Sequence, residues 1–299
     1  MGDISLTELS EQYLTTRELA ELLHIKERKV YELAASGEVP CSRATGKLLF
    51  PRGAVETWIA SKSGGSMSGT AAARPAVFLG SHDPLLEWAL RESGSGLAMY
   101  WDGSLDGVER FALGEGLATS LHVFDPAGND WNTPLVAARF AGAPVVLAEF
   151  AWRDRGLIVG EGKAGQFPTI ASLPGHKVVS RQSEAGSQRL MEHLLASNGV
   201  DAAQISFAGI ARTESDAAIA VAEGRADAAF GLRALAVQAR LDFVPVVRER
   251  FDLLVDRRSW FEPPMQRFLE FCRSEPFGEK ASRLTGYDVG QLGRVHFNG

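Results

Sequence analysis

Four short runs place small hydroxyl and glycine residues where donors alone could hold an anion. They are Gly80-Ser81-His82-Asp83, Gly103-Ser104-Leu105-Asp106-Gly107, Ser183 to Ser187, and Thr213-Glu214-Ser215-Asp216. Each lies between a short apolar run and a stretch of amphipathic spacing, and so reads as a turn from strand to helix. Ligands of open α/β sheets sit at such turns, because free amides at a helix N-terminus receive negative charge. One Gly-Ser turn is ordinarily a helix cap, but four in order make a candidate site of Ser81, His82, Ser104, Gly186, Ser187 and Thr213, with Arg181, ahead of the third run and outside the pattern, added to it. A second group is basic but for the hydroxyl of Thr16: Thr16, Arg17, Lys26, Arg28, Lys29, Arg43, Lys47 and Arg52 near the N-terminus suit phosphate contact.

Other patterns carry less. Gly160-Glu161-Gly162-Lys163-Ala164-Gly165 matches the dinucleotide spacing, but Pro168 prevents a helix from starting at once. Gly64 to Gly69 has the glycine spacing of a P-loop without its lysine. His82-Asp83 and the run His122 to Asp125 read as helix caps and loop ties in preference to acid-base or metal groups. Trp101, Trp131 and Trp152 either line a cleft or pack the lobes. With no G-x-S-x-G elbow and no H-E-x-x-H helix, an enzyme is not expected. Cys41 and Cys272 have neither disulfide-framework nor zinc-ligand spacing, which fits a reducing compartment.

The elements that must position these residues fall into two parts. Ser61 to Ala73, SKSGGSMSGTAAA, reads as a flexible linker with a reach of roughly 20 Å. It separates a helical unit over 1–60 from an α/β unit over 74–299. In the latter, strands are predicted at Ala76 to Leu79, Leu97 to Tyr100, Leu157 to Val159, Lys177 to Val179 and Ala226 to Phe230. Helices are predicted at Leu85 to Leu90, Ser187 to Ala196 and Asp216 to Glu223. The acidic, polar start MGDISLTELSEQ lacks an export signal, and no run is apolar enough to span a membrane, so a cytoplasmic protein is expected. A net charge of −6 leaves any nucleic-acid contact to a local basic face.

Thr15 precedes Glu18 by three residues, the spacing of a capping box, and a helix with Leu19, Leu22 and Leu23 inward should start there. His24-Ile25 forms a turn, and Val30, Leu33 and Ala34 repeat the pattern on a second helix ended by Gly37 and Pro40. Two such helices fit the helix-turn-helix plan, with Lys26, Arg28 and Lys29 at the exposed start of the recognition helix. Ser42 to Phe50 is predicted as a hairpin wing turning near Gly46, with a third helix after Pro51 burying Val55, Trp58 and Ile59. Through Leu14-Thr15-Thr16-Arg17-Glu18-Leu19-Ala20, Val30-Tyr31-Glu32-Leu33, Gly37-Glu38-Val39-Pro40 and Phe50-Pro51, this segment resembles the excisionase and MerR-like winged helix-turn-helix family. Double-stranded operator DNA is the partner this implies. The interleaved Glu27, Glu32 and Glu38 weaken one copy, so a homodimer is expected.

From about Pro75 to Leu254 the chain resembles a periplasmic-binding-protein-like sensor family related to molybdate- and tungstate-binding proteins. The resemblance rests on Gly80 to Asp83, Gly103 to Gly107, Leu121 to Pro126 with Trp131-Asn132, Arg153 with Gly156 to Val159, Arg181-Gln182, Gly224 to Ala228 and Leu241 to Pro245. It implies a type II fold of two α/β lobes with ligand in the cleft: lobe one over about 74–152 and 249–299, lobe two over about 153–248. Family oxyanion positions map to Ser81, Ser104 and the loop holding Gly186 and Ser187, with molybdate or tungstate as a possible effector and no resident cofactor. Two departures stand out, Glu184 where the family has a Gly-Ser-Gly-Thr-Arg run and Glu214 where it has Thr-His. A carboxylate facing a dianion is costly at low dielectric, so either both point outward or the ligand is a small organic molecule with a donor or cationic group. The reading as a whole is a ligand-responsive transcription regulator; the alternative is an excisionase-like architectural protein whose large domain is an oligomerisation scaffold.

Overall fold

The computed structural model describes residues 13–23, 25–42, 46–62 and 73–299. Arg43, His24 and nearly all of the linker lie outside them. By contacts the chain divides between Ala72 and Ala73 into two units.

In the N-terminal unit, β1 (Tyr13–Thr15) runs into α1 (Thr16–Leu22), followed by α2 (Glu27–Ala35), β2 (Leu49–Pro51) and α3 (Arg52–Lys62). Thr15 starts α1 by the expected box: Glu18 N donates to Thr15 Oγ1 at 3.3 Å and Thr15 N to Glu18 Oε2 at 2.7 Å. Leu19, Val30, Ala34, Phe50 and Val55 form the core, with Trp58 and Ile59 packed on it half-buried. Leu22, expected inside, is 46% exposed. In so short a helix Leu19 and Leu23 occupy the inner face at four-residue spacing, and Leu22 lies on its flank. Of the expected wing the described residues hold the base, two backbone hydrogen bonds between Ser42 and Leu49 of 2.7 and 3.0 Å, while residues 43–45 lie outside them. Beyond it β2 pairs antiparallel with β1, an N-terminal strand the sequence reading omitted.

The second unit alternates strand and helix: β3 (Val77–Gly80), α4 (Pro84–Glu92), β4 (Ala98–Trp101), α5 (Ser104–Ala112), β5 (Ala118–Leu121), a small hairpin of β6 (Phe124–Asp125) and β7 (Asp130–Trp131), and α6 (Thr133–Arg139). The 15-residue β8 (Val145–Val159) leads to β9 (Lys177–Arg181), α7 (Gly186–Ser197), β10 (Ser206–Ala211), α8 (Glu214–Ala222), β11 (Ala228–Leu232) and α9 (Arg233–Gln238). A second 15-residue strand, β12 (Asp242–Asp256), returns to α10 (Arg257–Trp260), α11 (Pro263–Phe271), α12 (Glu275–Arg283), β13 (Tyr287–Asp288) and β14 (Val295–Asn298).

One curled sheet runs β10-β9-β11-β8-β12-β5-β3-β4, with β13 and β14 added on β8. β8 and β12 pair antiparallel from Val145–Asp256 to Val159–Asp242, so both pass through the two lobes. The sequence reading caught only the last three residues of β8 and read β12 as a motif. Charged residues at Glu149, Arg153, Arg155, Arg248, Glu249, Arg250 and Asp252 interrupt the apolar pattern of a buried strand. The lobe-one end of the sheet is covered by Phe78, Leu86, Phe150, Phe251 and Phe268 on one face and by Leu79, Val108, Phe111, Leu147 and Leu254 on the other. In lobe two, Leu157, Val178, Leu190 and Phe230 back one face, and Ile158, Val179, Ala217 and Leu235 the other. Among the described residues no helix is long and apolar enough to cross a membrane.

The seating of α5 on β3 depends on two glycines. A Cβ on Gly107 would fall on the Cα of Gly80, and one on Gly80, whose φ is +104°, would strike the Ser120 backbone. Because α5 carries Ser104 at its first turn, this approach sets where that hydroxyl sits. Gly107→Ala is expected to destabilise the second unit by about 1–3 kcal/mol through overpacking. Urea denaturation should show a lower midpoint at unchanged slope; an unchanged midpoint would mean that the contact is loose.

Candidate functional site

Midway along the two crossing strands, the side chains that face the cleft are charged and fully buried. Arg153 pairs with Glu249 at 2.5 Å and Asp83 at 2.8 Å, and Arg155 with Glu249 at 2.8 Å and Glu214 at 3.1 Å. Arg181, at the end of β9, reaches the same Glu214 at 3.0 Å, and the Tyr287 hydroxyl donates to Asp83 at 2.5 Å. Burial alone would raise the carboxyl of Glu249, but Arg153 and Arg155 outweigh it and hold the group well below the ordinary range. Burial likewise works against Glu214, yet Arg155 and Arg181 bring it down to about 2.

His122, 1% exposed, joins this network to the serines. Its Nδ1 lies 3.0 Å from Glu249 Oε2 and its Nε2 3.0 Å from Ser81 Oγ, while its backbone N–H donates to Ser104 Oγ at 3.2 Å. Burial lowers its pKa, and the positive charges of Arg153 and Arg155 add to that against the pull of Glu249. The imidazole is therefore neutral at physiological pH.

Lobe two closes on this group through the loop before α7. A Cβ on Gly186 would stand 2.4 Å from the His122 carbonyl oxygen, and 3.1 Å from both Ser104 Oγ and His122 Cε1, so only glycine admits the approach. The Leu105 N–H donates across the cleft to the Glu184 carbonyl at 3.2 Å, and Gln182 Nε2 to the Asp102 carbonyl at 3.2 Å. Beside Gly186, Ser187 is 1% exposed and its Oγ has no hydrogen-bond partner. The N-termini of α5 and α7 thus meet beside the hydroxyls of Ser104 and Ser81 and the His122 imidazole, with the buried Ser187 hydroxyl next in chain to Gly186, an arrangement suited to a small anion.

Of the residues singled out from sequence, Ser81, Ser104, Gly186 and Ser187 come together here, and Arg181 adjoins them through Glu214. His82 stands apart, its Nε2 3.0 Å from Glu87 and its ring against the edge of Trp101, with Nδ1 unpartnered. Thr213 caps α8, its hydroxyl accepting from Asp216 N at 3.0 Å. Asp83 does cap α4, accepting from Leu86 N at 2.8 Å, and pairs with Arg153 as well. The two departing glutamates differ: Glu184 is partly exposed beside Ser183, and Glu214 points inward but is neutralised by two guanidinium groups. The three tryptophans pack the lobes, Trp131 on Phe124 at 5.1 Å, Trp101 on Phe78 at 6.2 Å and Trp152 on the lobe-two core.

Sequence reasoning missed Arg155, Glu249 and Tyr287 and took His122 for a loop tie. A signal existed, since Arg153 and Arg155 are two apart and so share one face of a strand. At the cleft mouth a pocket of about 400 Å³ is lined by Asp102, Asp106, Gln182, Glu184, Ile210 and Arg212. Burial and the neighbouring charges of Asp102 and Glu184 raise the pKa of Asp106.

In the N-terminal unit Arg17, Lys26, Arg28, Lys29, Lys47 and Arg52 are exposed, and Thr16 is half-buried at the start of α1. Arg17 pairs with Glu21 at 3.1 Å, and Arg28 and Lys29 share Glu32 at 3.4 and 3.3 Å. Arg43 lies outside the described residues.

Comparison with known proteins agrees with this two-part reading. The PBP superfamily domain matches residues 87–273, more than half of the 299. The chain belongs to the PBP superfamily. Ahead of that domain, a helix-turn-helix domain matches residues 13–63. The superfamily chain is similar to the uncharacterized protein YvgK of Bacillus subtilis (strain 168), 26% identical over 94% of this chain and 96% of that protein. It is also 29% identical to an uncharacterized protein in a ferredoxin 2Fe-2S gene 5' region of Clostridium pasteurianum, over 25% of this chain and 67% of the other. Among solved structures, a putative phosphate ABC transporter substrate-binding protein from Clostridium perfringens, with bound phosphate, aligns at a TM-score of 0.52 and 13% identity, over 71% of this chain and 98% of that one. That likeness is one of fold.

The buried ion pairs make stability depend on pH. Glu214 falls from the ordinary 4.5 to about 2 on folding, so its contribution is complete above 4.5 and is lost as pH drops toward 2. Glu249 acts in the same direction. Asp252, which burial pushes up to about 6, acts oppositely, adding stability as pH falls from 6 toward its ordinary 3.8. Glu214→Ala should therefore cost about 3–5 kcal/mol at neutral pH by leaving Arg155 and Arg181 short of a partner, and less at about pH 3, where the unfolded wild-type chain already binds the proton and part of the contribution of Glu214 is gone. Urea denaturation at the two pH values measures this; an equal cost at both would place the Glu214 effect in packing alone.

Proposed function

We propose that this PBP superfamily chain is a ligand-responsive transcription regulator of the cytoplasm, acting as a homodimer and not as a catalyst. The helix-turn-helix domain would bind double-stranded DNA, with Arg28 and Lys29 at the start of α2 and Lys47 in the wing contacting phosphates. The PBP-like domain would bind the effector between its lobes.

The observation that carries the ligand reading is the buried, unpartnered Ser187 hydroxyl in the first turn of α7, next in chain to the Gly186 that packs against Ser104 and His122. Around it the fixed charges balance, Arg153, Arg155 and Arg181 against Asp83, Glu214 and Glu249. Such a site holds an anion by hydroxyls and amides without a countercharge and discriminates by size. We take the ligand to be a tetrahedral oxyanion, with molybdate or tungstate foremost. The bound phosphate of the structural neighbour accords with that class, and the pairing of Glu214 with two arginines removes the repulsion that its sequence position implied.

A second reading draws on the acidic pocket at the cleft mouth. Asp102, Asp106 and Glu184 crowd together there, and a small organic cation would relieve their repulsion.

Calorimetry with molybdate, tungstate and phosphate separates the two. A tetrahedral oxyanion should bind, and Ser187→Ala should weaken it by about 1.5–3 kcal/mol, the worth of a hydrogen bond to a charged ligand. Failure of all three oxyanions, with binding of a small amine that Asp106→Asn abolishes, would replace the first reading by the second. For the DNA arm, duplexes selected from a random pool should show a log K against log salt slope that falls by about 1 for each of Arg28→Ala, Lys29→Ala and Lys47→Ala. Mobility shifts unaffected by all three would remove this face from DNA binding.

A further inference from the structure

The hydrogen bonds around His122 leave little freedom about where protons sit. Glu249, held ionised by Arg153 and Arg155, can only accept, so His122 Nδ1 must carry a proton and donate to it at 3.0 Å. A neutral imidazole protonated on Nδ1 has a bare Nε2, which lies 3.0 Å from Ser81 Oγ. The Ser81 hydroxyl must then donate its one proton to His122. What Ser81 turns to an incoming ligand is a lone pair.

The other two serines differ. Ser104 Oγ accepts from the His122 backbone N–H and retains its own proton to give, and Ser187 Oγ has no partner at all. A fully deprotonated oxyanion touching all three would find donors at Ser104 and Ser187 but an opposing lone pair at Ser81. One added proton removes the conflict in either of two places. On the ligand, it makes an O–H that donates to Ser81. On His122 Nε2, it makes an imidazolium that donates to Ser81 and releases the serine proton toward the ligand.

We infer that an oxyanion dianion binds at this site together with one proton taken from solvent, with His122 and Ser81 forming the relay. This rests on the oxyanion reading given above. The groups facing His122 set its response: Glu249 from β12 favours the imidazolium, Arg153 and Arg155 from β8 oppose it, and Glu214 from α8 favours it beyond Arg155. Glu249 is shared between two guanidinium groups, so without an anion the imidazolium has no net countercharge, and a dianion supplies one. Ligand class follows as well, since an oxyanion that already carries a proton near neutral pH enters without drawing one from solvent.

Two measurements test the inference. In the ligand-free full chain, nitrogen NMR of the histidine rings should show His122 protonated on Nδ1 and bare on Nε2 from about pH 6 to 8. An Nε2-protonated or cationic ring overturns the donor assignment whether or not any ligand is known. Calorimetry with molybdate, fully deprotonated near neutral pH, in buffers of different ionisation enthalpy should show uptake of about one proton per ion, with affinity weakening about tenfold per pH unit as pH rises. In His122→Asn the side-chain amide replaces the Nδ1 donor to Glu249 and the ring nitrogen that takes the Ser81 proton is gone, so molybdate affinity should fall and the binding that remains should carry no proton uptake; uptake of a full proton in that variant overturns the relay. Molybdate binding to the wild type without proton uptake overturns the proposal. If neither molybdate nor phosphate binds, the oxyanion reading fails and takes the proton-coupled binding step with it, while the NMR result still decides the Ser81 donor direction.

Discussion

An arginine in a protein interior cannot shed its charge, so wherever Arg153 and Arg155 are buried, carboxylates must follow them. Both are 0% exposed, two apart on a strand that crosses both lobes, and each has two carboxylate partners. Glu249 is common to the two. Through Arg153 it is joined to Asp83 and Tyr287 of lobe one, and through Arg155 to Glu214 and Arg181 of lobe two. Apolar residues of similar volume would serve the packing as well, because desolvation of a buried ion pair offsets much of its attraction. What they could not do is fix orientation, since each guanidinium accepts its carboxylates only along particular N–H directions. The network thus sets the direction of His122, and His122 sets that of Ser81.

The same requirement explains which parts of the molecule were legible in the sequence. Features decided within a few residues were read directly: the Thr15–Glu18 box, the glycine that ends α2, and the turns before α4, α5, α7 and α8. The crossing strands were not, because the period-two signal presumes that buried strand residues are apolar, and β8 and β12 carry charges whose partners lie far along the chain. Asp83 and Tyr287 are 204 residues apart, and His122 and Glu249 are 127 apart. Nothing local marks such pairs. His122 itself looked like a loop tie, and it is one; its importance comes from Glu249, whose position no neighbouring residue reveals. The acids at 184 and 214 posed the opposite difficulty, since their charge was plain and the arginines that settle its meaning were not.

How a ligand could change this domain follows from the contacts that close the cleft. The Leu105 amide, at the N-terminus of α5, is taken by the Glu184 carbonyl, and Gly186 stands against His122 and Ser104. An oxyanion that reaches the same hydroxyls competes with the loop at 182–186 for space and for that amide. Ligand therefore favours whichever arrangement of the loop gives it more donors than the carbonyl of Glu184 withdraws. A ligand shifts an equilibrium only by its differential affinity for two states, and here the difference has a physical origin in one amide and one close glycine contact. The loop also carries Gln182, bound to the Asp102 carbonyl, so its movement would reshape the acidic pocket at the cleft mouth as well. If an effector changes DNA affinity, reciprocity requires DNA to change effector affinity by the same factor, and the contacts of the 182–186 loop with Leu105, Asp102, Ser104 and His122 are those that such a change in the PBP-like domain would have to alter.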